Sequence, residues 1–354
     1  MDLDLLDEEL AARGLPAYRT RQVREALLRR CVGSWSDVTT LPAALRDELA
    51  GQLPWSTVEV ASEQSGSDGT IKLALTGRAG PGPFEAVLME FDGGRQTACL
   101  SSQSGCALAC SFCATGTLGF GRNLTRHEIV DQFLELQRRA IARGGRIDNV
   151  VMMGMGEPFH NYDEVIAACR MLNDPDGIGL GARRIAISTA GWIPGIERLA
   201  SEPRQFKLAL SLHAPTDELR QELMPVNRKY PIAKLMEACR DYRRRTGRRI
   251  FVEYLMLDGV NDGPEHARQL ARLLGGDGFH VNLIAYNPTG SGYQGSPDAA
   301  VEQFGELLRS RSISTSYRIS RGSDIDAACG QLAAGQRGQR LRPSRTPRRA
   351  GATA

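Results

Sequence analysis

Gly105–Gly116 reads GCALACSFCATG and spaces three cysteines, Cys106, Cys110 and Cys113, as C-x3-C-x2-C. An iron–sulfur cube ordinarily takes four thiolates, so three crowded into one short loop can hold a cube and leave one iron open to a small molecule. The position of the loop decides the fold as well as the chemistry. It follows an apolar run, TACLSS at 97–102, and from there onward short β-branched runs alternate with amphipathic helical segments,.

The runs are NVVMMG (149–154), RIAIST (184–189), FKLALSL (206–212), IFVEYLML (250–257), HVNLIAY (280–286) and STSYRIS (314–320). Between them lie HEIVDQFLELQRRAI, YDEVIAACRML, PIAKLMEACRDYRRR, EHARQLARLL and AVEQFGELL. Such alternation implies an α/β fold with a parallel sheet and crossover helices. Six or seven units are too few for an eight-fold barrel, so a partial (β/α)6 barrel with a wide mouth is expected over 96–334. Upstream, YRTRQVREALLRR places Val23, Leu27 and Leu28 at helical spacing with Arg19, Arg21, Arg24, Arg29 and Arg30 around them,. This implies a small helical N-terminal domain, 1–55, with a positive face suited to RNA phosphates. TIKLAL and FEAVLMEF flank the turn TGRAGPGP, a hairpin linking the two domains over 56–95.

Composition limits the partners. The chain has 354 residues, 42% hydrophobic and 24% charged, with a formal charge of +3. Its last stretch, 335–354, holds six arginines and no acid, which leaves the first 334 residues at a net −3. An RNA footprint must therefore be local, and the Arg/Gly/Pro-rich tail reads as disordered. The opening MDLDLLDEEL is acidic where a signal peptide is basic, and no apolar stretch reaches membrane-spanning length,. A cytoplasmic chain with reduced cysteines is expected.

Every unusual polar residue falls after a strand, where parallel barrels collect their chemistry. Gly154-Met155-Gly156-Glu157-Pro158 follows the second run, Ser188 closes the third, Ser211-Leu212-His213 the fourth and Asn287-Pro288 the sixth. Glycines allow close backbone approach and Glu157 can accept from an ammonium group. Ser188, Ser211 and Asn287 suit ribose and carboxylate oxygens, so the rim fits a nucleoside-bearing amino acid.

The other cysteines divide by place. Cys31, Cys169 and Cys239 lie among apolar neighbours on helices and read as packing residues,. Cys99 lies on the strand leading into the cysteine loop, and Cys329 lies in the polar loop GSDIDAACGQL after the last strand. If both face the mouth, one thiol can carry an alkyl group and the other can resolve the adduct as a disulfide. Zinc is the competing use of clustered cysteines. It favours paired C-x2-C knuckles with four closed ligands; no second pair occurs here, and the next histidine, His127, sits in a helical pattern.

The segments CLSSQSGCALACSFCATG, NLTRHEIVDQ, NVVMMGMGEP, LSLHAPTDELRQELMPVN, FVEYLMLDGVND, NLIAYNP and RGSDIDAACGQL resemble those of the RlmN/Cfr radical-SAM RNA methyltransferases, in order from about Glu85 to Leu332. The wording is nearer the RlmN type. The resemblance implies one [4Fe–4S] cluster per chain on Cys106, Cys110 and Cys113, and S-adenosylmethionine bound by Gly156, Glu157, Ser188, Ser211, Leu212, His213 and Asn287. By the same resemblance two molecules of S-adenosylmethionine would be consumed per methylation: the first would methylate Cys329, and the second would be cleaved to a deoxyadenosyl radical that takes hydrogen from the S-methyl group. The carbon radical would then add to adenine, and Cys99 would release the product through a transient disulfide. A glutamate removes the ring proton; Glu85 matches, with Glu90 as competitor. The implied target is C2 of an adenine in 23S rRNA, C8 being that of the Cfr type, and in some members an adenine of the tRNA anticodon loop. A flavodoxin or ferredoxin would donate the electron.

Overall fold

The computed structural model describes residues 1–275, 278–318 and 320–333; the expectation of a disordered tail over 335–354 lies outside them. The chain starts with helices α1 (Leu3–Ala12), α2 (Ala17–Arg24) and α3 (Ala43–Gln52). Asp2 caps α1 by accepting from the backbone N–H groups of Asp4 and Leu5,. A π-helical turn, Glu25–Arg29, prolongs α2. Val23, Leu27 and Leu28 are buried while Arg21, Arg29 and Arg30 are exposed, so the segment has the packed face and the positive face its spacing predicts.

Four antiparallel strands follow: β1 (Val58–Ser65), β2 (Ile71–Gly77), β3 (Gly80–Phe91) and β4 (Arg95–Cys99). A small separate ribbon, β5 (Gln103–Gly105) and β6 (Phe120–Asn123), brackets the cysteine loop and the short α4 (Ala114–Leu118). Then α5 (Arg126–Ala142) begins a regular alternation. It runs β7 (Ile147–Met152), α6 (Tyr162–Asn173), β8 (Ile185–Thr189), α7 (Ile193–Ala200), β9 (Lys207–Ser211), α8 (Asp217–Leu223), α9 (Ile232–Thr246), β10 (Ile250–Met256), α10 (Pro264–Leu274), β11 (Phe279–Ala285), α11 (Asp298–Ser310) and β12 (Ser314–Arg318). Thr125 and Glu128 close a capping box at the start of α5,.

All the strands except β5 and β6 form one ten-stranded sheet in the order β1-β2-β3-β4-β7-β8-β9-β10-β11-β12. Pairings from β4 through β12 are parallel. The end strands β1 and β12 do not pair with each other, so the barrel stays open. Val150, Met152, Ile185, Ile187, Leu208, Leu210, Ile250 and Val252 are buried, because crossover helices cover the outer face of a parallel sheet. The expected hairpin is β2 paired antiparallel with β3, and together with β1 it extends this sheet across the β3–β4 pairing. β1 gave no sequence signal because all but Val58 of its residues are exposed, which erases the alternation on which a strand is read. No helix among the described residues is long and apolar enough to cross a membrane.

Candidate active site

The C-terminal ends of the parallel strands converge on one cavity, which encloses about 1010 Å³ with its open mouth included. Cys106, Cys110 and Cys113 line it together with Gly156, Glu157, Ser188, Ser211, His213 and Cys329. Residues from five separate stretches of sequence thus share one space.

The cysteine loop is fixed by backbone bonds rather than by its thiols. Cys106 N–H donates to Gly119 O (2.8 Å), Cys113 N–H to Cys110 O (3.2 Å) and Ser111 N–H to Leu223 O (3.0 Å). Gly116 packs so closely that a Cβ there would lie 2.9 Å from Cys110 O, which excludes a side chain. All eight cysteines are free. Burial raises the Cys106 thiol to about 12. It also raises Cys110 and Cys113, and the neighbouring cysteine thiols push Cys110 further. Three thiolates in so apolar a place need a metal's positive charge to exist. Cys106, Cys110 and Cys113 line one wall of the cavity, and three thiolates from one short loop are a donor set that fits an iron–sulfur cube with one iron left open.

On the opposite wall, Gly156 has φ +99, and a Cβ there would lie 2.5 Å from Gln103 Cβ; only glycine fits. Glu157 is buried. Its Oε2 accepts from Ala190 N–H (2.8 Å) and its Oε1 from Phe159 N–H (3.0 Å), and burial outweighs these bonds to raise its carboxyl to about 7. Ser188 Oγ and Ser211 Oγ stand 3.3 Å apart. His213 has φ 57, and its Nδ1 accepts from Leu255 N–H (3.0 Å), which leaves the proton on Nε2. Burial, with Arg220 nearby, lowers its pKa to about 3, so the ring is neutral.

The loop bearing Cys329 is docked at both ends. Gly330 O accepts from Ala114 N–H (2.8 Å) and Leu332 O from Thr115 Oγ1 (2.6 Å). Lys72 Nζ donates to Asp326 O (3.2 Å), and Glu85 Oε2 accepts from Ala333 N–H (2.8 Å). Cys329 itself is exposed on the cavity wall; the protein around it still raises its thiol by desolvation. Cys99 ends β4 half-buried. Burial, and next the Cys329 thiol, push its pKa up, so the two thiols are electrostatic neighbours.

Four expected residues do not line the cavity. Leu212 is 0% exposed in the core and donates its N–H to Glu253 O (3.1 Å). Asn287 is buried, with Nδ2 on Ala285 O (3.3 Å). Cys99, half-buried at the end of β4, is not among the lining residues. Glu85 is buried under Ala333 with its Oε1 3.5 Å from Lys72 Nζ. Glu90 lies farther still, near the β1–β2 turn, where a Cβ on Gly69 would be 3.7 Å from its Oε2. Conversely, Glu253 and Arg318 line the cavity unforeseen. Glu253 Oε1 accepts from Asn282 Nδ2 (2.8 Å), and its Oε2 has no partner. A lone acid within the apolar run IFVEYLML was the signal for it. Arg220 and Lys72 gave none.

The sequence pattern of the radical SAM superfamily matches residues 100–274. A probable dual-specificity RNA methyltransferase RlmN of Gemmatimonas aurantiaca is 47% identical over 96% of this chain and 92% of its own length. Its counterpart in Moorella thermoacetica is 48% identical over 92% of this chain and 94% of its own. The crystal structure of a radical SAM methyltransferase from Sphaerobacter thermophilus superposes with a TM-score of 0.90 at 47% identity, covering 94% of this chain and 98% of that one.

Proposed function

Because the chain belongs to the RlmN family of radical-SAM RNA methyltransferases, we propose that it methylates C2 of an adenine in 23S rRNA and of an adenine in the tRNA anticodon loop. The observation that carries this reading is the exposed Cys329 thiol in the same cavity as the three-cysteine loop, with Cys99 as its neighbour.

Cys106, Cys110 and Cys113 would hold the cluster, which supplies one electron from a flavodoxin- or ferredoxin-type donor for reductive cleavage of S-adenosylmethionine. Gly156 offers close backbone approach, Glu157 an acceptor for the amino group, Ser188 and Ser211 hydroxyls for polar oxygens, and His213 an Nε2–H donor. Two molecules of S-adenosylmethionine serve each turnover: one methylates Cys329, the other activates that methyl group. Cys329 then carries the one-carbon unit to adenine C2, a ring carbon too electron-poor to attack a methylsulfonium. The adduct gives up one electron, back to the flavodoxin- or ferredoxin-type partner, and its ring proton. The Cys99 thiolate then attacks the Cys329 sulfur: the S–S bond forms as the S–C bond breaks, and the carbon takes up a proton to become the methyl group. Two electrons from a thiol reductant reopen the disulfide. The exposed Arg21, Arg29 and Arg30 favour RNA phosphates,.

Glu85 is the reading for the base that removes the ring proton. Five residues along one strand separate it from Glu90, about 17 Å, and Glu85 alone touches the Cys329 loop. In Glu85→Gln the amide oxygen can still accept from Ala333 N–H, so the fold persists. Product formation should fall by about 10²- to 10⁴-fold while iron content stays at wild-type level; unchanged turnover would remove Glu85 from the role.

Glu157 gives a pH dependence. Its raised pKa, about 7, means that the ionised form which pairs with an ammonium gains population as pH rises through that value. S-adenosylhomocysteine should bind up to about tenfold more tightly at about pH 8 than at about pH 6, measured by calorimetry, and Glu157→Gln should flatten the profile.

The deciding experiment is anaerobic incubation of reconstituted protein with unmodified rRNA or tRNA, S-adenosylmethionine and a reductant, followed by nucleoside mass analysis. 2-Methyladenosine is the expected product. 8-Methyladenosine would move the chain to the Cfr type of chemistry.

A further inference from the structure

Arg220, on α8, is 0% exposed and heads the fully buried side chains by size. Its guanidinium donates to Leu212 O (3.2 Å), Ser211 O (3.4 Å), Ala190 O (2.6 Å) and Asn227 Oδ1 (2.9 Å). Every acceptor is neutral. No carboxylate lies within 4.0 Å of it among the described residues. Asp217, on the same helix, spends Oδ1 on Asn227 Nδ2 (2.7 Å) and on Ile232 N–H (2.8 Å), so it reaches the cation only through an amide. Burial lowers the guanidinium to about 10, with Cys110 the leading opposing influence. It is a cation at neutral pH without a direct counter-ion, an arrangement proteins avoid because the desolvation is not repaid.

The surroundings show where its charge is directed. The carbonyls it holds belong to the ends of β8 and β9, which line the cavity beside the cysteine loop. Its own helix ends on Leu223, whose carbonyl accepts from Ser111 N–H (3.0 Å), the residue after Cys110. Cys110, Cys113 and Leu219 pack against the same buried apolar cluster as Leu223 and Met224. The cation thus stands in apolar protein behind the loop that would carry three thiolates.

We propose that Arg220 is the fixed counter-charge of the cysteine-bound cluster, stabilising the extra negative charge of its reduced state and so raising its reduction potential. This rests on the cluster reading above. With three thiolates, a [4Fe–4S] core of charge 2+ leaves a net −1; one electron from the flavodoxin- or ferredoxin-type donor makes it −2 with no bond formed or broken. Arg220 favours the second state because a fixed charge acts strongly where little water screens it.

The test uses full-length protein, anaerobically reconstituted, with iron analysis and a redox titration followed by electron paramagnetic resonance. Arg220→Met keeps volume and removes charge; its reduced-to-oxidised ratio at the wild-type midpoint should fall at least tenfold, a shift of about 59 mV for one electron. Arg220→Lys should restore most of that ratio. Asp217→Asn, which can still accept from Asn227 and Ile232, should shift the midpoint the other way. This variant decides the matter if Arg220→Met fails to fold. Iron-loaded Arg220→Met, or Asp217→Asn, with an unchanged midpoint would overturn the proposal. Wild-type protein that takes up no iron would overturn the cluster reading and this inference with it.

Discussion

Cys329→Ala protein should bind iron and cleave S-adenosylmethionine as the wild type does, yet form no methyladenosine. Its loop is held by the carbonyls of Gly330 and Leu332 and by Ala333 N–H, not by the thiol, so removing an exposed sulfur costs little stability. What disappears is the atom that carries the methyl group in the proposed scheme. In Cys99→Ala the proposed carrier remains without its resolving partner, and RNA should stay covalently joined to Cys329. Mass spectrometry of the protein after single turnover reads both outcomes. A Cys329→Ala enzyme that still methylates RNA would end the carrier scheme and leave a radical-SAM methyltransferase of another mechanism.

Cys113→Ala should strip the protein of iron and of all S-adenosylmethionine cleavage, leaving it colourless under anaerobic purification. Two remaining thiolates cannot hold a cube in a pocket where burial already disfavours their ionised forms,. Cys169→Ala and Cys239→Ala are the contrasting cases. Both side chains are fully buried on α6 and α9, so each change costs packing energy of about 1–2 kcal/mol and should leave iron content at the wild-type level. Iron and absorbance in the visible range measure the difference. Zinc in the wild type, with no iron, would reverse the assignment of the loop.

How much of this was legible in the chain differs from element to element. Of the seven parallel strands, β12, with no buried residue, showed only its alternating β-branched and aromatic composition. The other six were readable as short apolar runs, which burial on both faces of a covered sheet imposes, and most crossover helices by their apolar stripe. β1 was not, since an exposed edge strand has no periodicity, and α7 and α8 are too short to show one. The cysteine loop, Gly156, Ser188, Ser211 and His213 were readable as a set, because each follows a strand and parallel topology brings such positions to one end.

Sequence by itself determined which polar and thiol-bearing residues stand after each strand, the three cysteines of one loop among them, and the order of strands that gathers them. These are matters of residue type and of local spacing, which the chain spells out. Tertiary structure alone decided the electrostatics. Glu157 is raised to about 7 and His213 lowered to about 3 only because protein displaces water around them,. Glu85 is tied to the Cys329 loop, and Arg220 is buried without a carboxylate partner, only because distant strands and helices close over them. Burial is a property of the assembled chain, and no local pattern of residues states it.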